Sequence, residues 1–211
     1  MVTASQKQTL EQYRALIIEA KGRLLCIDIV LDDKTPLPPL AAGEFCYLQL
    51  RMLCELIALG CLVAHGDVPG ARSRKLQSAW SADQIIAAMG RLHAHFYPRP
   101  FTKREVGGEI NFDEMPSSEY LTKKELPKLY ALCGNILHRG SLGSLVSDKA
   151  AKPNRSEVGM WRYKIGNLLS IHLIELFDMH TQYMCQINDY GRGGHIEMAI
   201  MNLKEPIRAA T

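Results

Sequence analysis

One stretch limits what this chain can become. Phe45 to Ala64 is apolar except for Gln49, Arg51 and Glu55. A helix that spans a bilayer needs about 20 mostly apolar residues. Here the uncharged part is only Leu56 to Ala64. The stretch therefore predicts a buried helix from about Ala42 to His65, with no membrane partner. A charge inside such a helix must be paired or reach water. Arg51 and Glu55 stand at i, i+4, where helical side chains meet. Two readings stand: an ion pair that fixes the register of a bundle, or a polar anchor that lines a cleft.

A buried helix needs neighbours. Leu10, Tyr13, Ile17, Ala20, Leu24, Ile27 and Leu31 alternate spacings of three and four, which predicts a helix from about Gln6 to Leu31. Thr35 to Gly43 carries Pro36, Pro38 and Pro39 and reads as a connector. Ser81 and Gln84 form a capping-box pattern for a helix that ends near His95. Thr122 and Glu125 form another, for a helix closing at His138-Arg139-Gly140. Asn154 with Glu157 opens the last helix, predicted to run to about Phe177. Gly107-Gly108 between short β-type runs predicts a hairpin within Phe101 to Phe112. Period-two alternation from about Gln182 to Leu203 predicts a C-terminal β-hairpin. The expectation is a mainly α single domain. It consists of an up-and-down helical bundle over about 5–177, a small mid-chain hairpin and a C-terminal β-hairpin at about 180–204.

Composition adds less than charge position does. Hydrophobic residues at 47% and charged residues at 22% exclude a largely disordered or collagenous chain. There are 25 Lys+Arg against 22 Asp+Glu, a net +3, too little to imply nucleic acid by itself. Yet between Arg139 and Lys164 six basic residues face only Asp148 and Glu157. This stretch either meets phosphates or forms a solvated charged face. Met1 to Gln12 is polar and lacks the apolar core of a signal peptide. The six cysteines form no C-x-x-C pair, so free thiols in a reducing, cytoplasmic setting are expected. No metal or cofactor motif stands in the chain, and none is expected.

The candidate site gathers around a helix end. His138 closes its helix, where the dipole favours the imidazolium. With Arg139 beside it, the pair suits general acid–base work on an anion, or a plain basic cap. Asn135 lies one turn earlier, and Lys149, Lys152 and Arg155 continue the run of cations. Arg51 and Glu55 complete the candidate binding set. His172 reads as a hydrogen-bonded core histidine.

Two segments resemble the HEPN superfamily of small helical bundles. One is Leu48-Gln49-Leu50-Arg51-Met52-Leu53-Cys54-Glu55-Leu56. The other is Leu129-Tyr130-Ala131-Leu132-Cys133-Gly134-Asn135-Ile136-Leu137-His138. The resemblance implies a bundle, a homodimer and an intracellular role. Many members are metal-independent ribonucleases of toxin–antitoxin or phage-defence systems. Others bind nucleotides or proteins without catalysis. Catalytic members carry an Arg about one and a half turns before the His, where this chain has Leu132 and Cys133. The leading expectation is thus a non-catalytic binding module that contacts RNA or a nucleotide. One alternative is a ribonuclease using His138, with Arg139 or Arg51 on the phosphate. Another is a structural partner protein that offers its C-terminal hairpin as an edge for β-addition.

Overall fold

The computed structural model describes residues 4–66, 76, 78, 81–138, 152–187 and 195–202. Five helices and five strands follow one another among them. They are α1 (Ala4–Leu31), α2 (Pro39–Ala64), α3 (Ala82–Leu92), β1 (Arg99–Val106), β2 (Glu109–Glu114), α4 (Leu126–Leu137), α5 (Arg155–Ser170), β3 (Ile171–Glu175), β4 (Thr181–Ile187) and β5 (Ile196–Asn202).

Helix α2 is the hub. By length and composition it could cross a membrane. In the fold it packs against α1, α3, α4 and α5 and buries Leu50, Leu53, Cys54, Ala58 and Cys61 completely. It begins three residues earlier than predicted because Pro39 sits at its first position, where a missing N–H costs nothing. The α1 stripe is realised, with Tyr13, Ile17, Ala20, Leu24 and Ile27 all buried. The approach of α1 to α2 is close: a Cβ on Gly60 would stand 2.9 Å from the Tyr13 ring.

The expected bundle with two separate hairpins is not what forms. The strands make one antiparallel sheet in the order β2-β1-β3-β4-β5, so the fold is mixed α/β. The error lies in one segment, Ile171–Glu175. Leu169, His172 and Leu176 fit a helical spacing, yet α5 stops at Ser170 and the next five residues are a strand. His172 and Ile174 face the core at 0% exposure, while Ile171 and Leu173 face outward. That is period two, in a stretch holding two β-branched residues. Pairing decides the outcome. Arg99 and Pro100 of β1 bind one side of β3, and β4 binds the other from Ile171–Gln186 to Glu175–Gln182. Sheet partners distant in sequence outweigh local helical spacing.

The mid-chain hairpin forms around Gly107 and Gly108, whose φ values of 63° and 85° match a type I′ turn. Only its base joins the sheet. From Phe101 to Glu114 it projects as a two-stranded ribbon. All six cysteines are free thiols.

Candidate functional site

Three residues of the site predicted from sequence, Arg51, Glu55 and Arg155, have internal partners. Arg51 donates from Nη2 to the Tyr130 hydroxyl at 2.7 Å, and that hydroxyl donates to Glu55 Oε1 at 3.1 Å. The guanidinium also lies 4.1 Å from the Tyr130 ring centre, and its Nε stands 3.5 Å from Glu55. Burial and the Glu55 carboxylate push the Tyr130 phenol pKa up, so it stays protonated and bridges the two charges. Gly134 admits this arrangement, since a Cβ there would stand 3.2 Å from Arg51 Nη1. Beside it Tyr47 donates to Glu157 at 2.6 Å. This polar seam clamps α2 to α4 and α5.

His138 and Asn135 are exposed at the end of α4. Arg139 and Lys149 lie outside the described residues. Arg155 is occupied by Asp33 at 2.8 Å and by the Leu31 carbonyl. Arg162 holds both oxygens of Asp28, at 2.6 and 2.7 Å. Lys164 binds Glu125 at 2.6 Å. Lys152 is exposed. The three pairings tie α5 to α1 and to the start of α4, so much of the basic stretch serves as internal bracing.

Charge and space coincide elsewhere. A cleft of about 650 Å³ opens between the segment after α3, the base of β1, the β2–α4 connector and α5. Its lining holds Arg99, Lys123, Lys124 and Lys164 against one carboxylate, Glu125. Hydroxyls of Ser117, Ser118 and Thr122 share the wall with His95, and Tyr97, Pro98 and Tyr120 give it apolar surface. A cleft of 300–1,000 Å³ with a few convergent polar groups is typical of small-ligand sites.

The walls are fixed by short bonds. Tyr97 donates to the Leu121 carbonyl at 2.9 Å, and the Leu121 N–H reaches the Lys164 carbonyl at 3.0 Å. Asn167 donates to the Glu119 carbonyl and Tyr163 to its carboxylate, at 2.8 and 2.7 Å. The predicted capping box is present: Thr122 N–H donates to Glu125 Oε2, and Glu125 N–H to Thr122 Oγ1. Burial alone would raise the Glu125 pKa, but the Lys164 ammonium and the Thr122 donors outweigh it and hold the carboxyl ionised below its usual range. Lys123 crosses the cleft to the Ala94 carbonyl at 3.2 Å, a neutral partner that leaves its charge uncompensated.

A histidine cluster backs this cleft. His93 caps the end of α3 in extended conformation, which brings its ring 6.0 Å from that of His95. His65 and His93 converge on one carbonyl, that of Glu175, at 2.9 and 3.2 Å. Burial lowers the pKa of both rings. Among the described residues no group of three His, Cys, Asp or Glu side chains is placed to hold a metal.

Comparison with protein-family models, with curated proteins and with solved structures finds no match to this chain. The site is therefore read from its own geometry. Lys164 belongs to the basic stretch that the sequence singles out, whereas Arg99, Lys123 and Lys124 lie outside it. The adjacent Lys123-Lys124 beside a capping box was the available signal. Their convergence with Arg99 depends on the pairing of β1 with β3, which joins residues distant in sequence.

Proposed function

We propose that the protein is a non-catalytic binding module for a nucleotide-sized, phosphate-bearing ligand held in the cleft at Arg99, Lys123, Lys124 and Lys164. The observation that carries this reading is Lys123 and Lys124 converging with Arg99 and Lys164 on a braced cleft with an apolar flank, Lys164 being paired with Glu125 and Arg99 with Glu114 and Glu175, so that the two adjacent lysines supply most of the charge a ligand would meet. Ammonium and guanidinium groups bind phosphate through charge-assisted hydrogen bonds. Tyr120 and Pro98 offer a surface for a base or another flat group. The site keeps the expected ligand class and moves it away from His138. The ribonuclease alternative gains nothing from Arg51 and Arg155, whose partners are internal.

The test is calorimetric titration with adenosine monophosphate, inorganic phosphate and a short single-stranded RNA. Binding of the mononucleotide is expected, weakening as salt screens the charges. Lys124→Glu combined with Lys123→Gln should lower affinity about tenfold or more, the scale of one lost charge-assisted contact. Equal affinity of the variant, or salt-independent binding, overturns the assignment. Tighter binding of RNA than of the mononucleotide moves the ligand to a longer track.

A further inference from the structure

The histidine cluster reaches the cleft through one ring. His95 is exposed, stands between α3 and β1 and lines the cleft wall. It carries an imidazole, the side-chain type that changes charge near neutral pH. Two rings stand behind it in a row. The His93 ring centre lies 6.0 Å from that of His95, and the His65 ring 5.2 Å from that of His93. His93 is buried at the end of α3, and its Nε2 donates to the Glu175 carbonyl at 3.2 Å. Burial holds the pKa of both inner rings below the usual histidine range. At neutral pH they therefore place no positive charge behind His95.

The charges that share the cleft with His95 come from three directions. The connector before α4 brings Lys123, whose ammonium binds the carbonyl of Ala94, the residue before His95, at 3.2 Å. Lys124 follows it in the same wall. Strand β1 brings Arg99, which stands 3.4 Å from Glu114 and 3.9 Å from Glu175. Helix α5 brings Lys164, which holds Glu125 at 2.6 Å. Burial raises the phenol pKa of Tyr97 and of Tyr120, so both stay protonated. Each of the three carboxylates thus has a cation of its own. Among the described residues none of them forms an ion pair with His95.

We infer that His95 is a proton-dependent contact for the ligand's phosphate: it takes up a proton as the phosphate enters and donates to a phosphate oxygen from the charged ring. The inference rests on the reading of this cleft as a phosphate site. In the empty cleft a charged ring at this wall would meet Lys123 and Lys124 with no carboxylate to offset them. A phosphate monoester brings about −1.5 to −2 charges and three acceptor oxygens, enough for the two lysines and a third donor. Proton and phosphate then favour each other, and the coupling is reciprocal. The ring holds its proton more tightly in the complex than in the free protein. Affinity is therefore greatest in acid, falls as pH rises through the ring's titration in the complex, and is level above it. The cleft is thus regulated by pH through one residue of its wall.

Nuclear magnetic resonance of the full chain tests the inference with inorganic sulfate, whose charge stays fixed near neutral pH where that of a phosphate monoester does not. The His95 ring signal, assigned by its loss in His95→Asn, is followed against pH at constant ionic strength, with and without saturating sulfate. Sulfate should raise the titration midpoint by about 0.7 unit or more, which is the fivefold lower end of ordinary coupling between sites. The parent should bind sulfate about threefold or more tightly at pH 6 than at pH 8, and His95→Asn equally at both. Lys123→Gln combined with Lys124→Glu should abolish the effect of sulfate on the ring. An unmoved midpoint while sulfate binds at the two lysines, or the parent's pH dependence persisting in His95→Asn, overturns the inference and leaves the phosphate site standing. Absence of both sulfate and mononucleotide binding at either pH overturns the two together.

Discussion

At the scale of single residues, the buried histidines hold the most readable chemistry. His172 is fully buried between the Tyr13 hydroxyl at 2.7 Å and the Leu169 carbonyl at 3.3 Å. A carbonyl only accepts, so Nδ1 carries the proton and Nε2 accepts from Tyr13. That arrangement is complete for the neutral ring, and burial lowers its pKa to about 4. The folded pKa lies below the unfolded one, so the stabilisation is present above about pH 6.5 and is lost as pH falls towards 4. The loss is about 3 kcal/mol for a shift of this size. Chemical unfolding of the protein and of His172→Gln at pH 7 and pH 4 checks it: the variant should lose about 3 kcal/mol less on acidification. Parallel losses in both proteins would refute the assignment. His65 is more constrained, because carbonyls of Cys61 and Glu175 stand at 2.7 and 2.9 Å from its two nitrogens. A neutral ring has one N–H for these two acceptors, and burial opposes the charged form that would satisfy both. Gly60 belongs to the same neighbourhood through Tyr13. Gly60→Ala should push the Tyr13 ring from His172 and cost about 1–3 kcal/mol, read from the denaturation midpoint.

At the scale of elements, the Arg51–Tyr130–Glu55 bridge behaves as a clasp between α2 and α4. Breaking one member leaves its partner's charge half-buried and unpaired, whereas removing both charges leaves an apolar helix contact. Arg51→Met and Glu55→Leu should each destabilise by about 1–3 kcal/mol, and the double variant by less than the sum. A double-mutant cycle in urea measures the coupling. Strict additivity would show that the bridge contributes nothing. The sequence made this clasp partly legible, since a buried i, i+4 pair demands a partner, but Tyr130 as the bridging group depends on how α4 lies across α2. The helices and both hairpins were also legible, because amphipathic spacing, capping residues and Gly-Gly are local signals. β3 was not. Its residues satisfy two periods at once, and only Arg99, Pro100 and β4, distant in sequence, select the strand. The cleft was missed for the same reason, as Arg99 reaches Lys123 and Lys124 only once β1 has joined that sheet.

At the scale of the whole molecule, β3 makes the sheet part of the core rather than an appendage. A helical bundle with an added hairpin would survive loss of the hairpin. In this fold the core continues into β4 and β5: Tyr183, Cys185, Ile187 and Ile196 are buried, Cys185 pairs with His172, which holds Tyr13, and Tyr183 pairs with Ile174. Removing these strands uncovers His172, Ile174 and the adjoining faces of α1 and α5 together. Burying a large apolar side chain contributes about 1.5–3 kcal/mol, so losing several exceeds the whole stability of an ordinary domain, about 5–15 kcal/mol. A chain ended after Met179 should therefore lack a cooperative thermal transition and show reduced helical ellipticity, although the five helices among the described residues all precede the cut. The full chain should unfold in one transition that includes helices and sheet alike. If the shortened chain kept the helical signal and a cooperative melt, the helices would form an independent bundle. The sheet would then be decoration on it rather than half of the core.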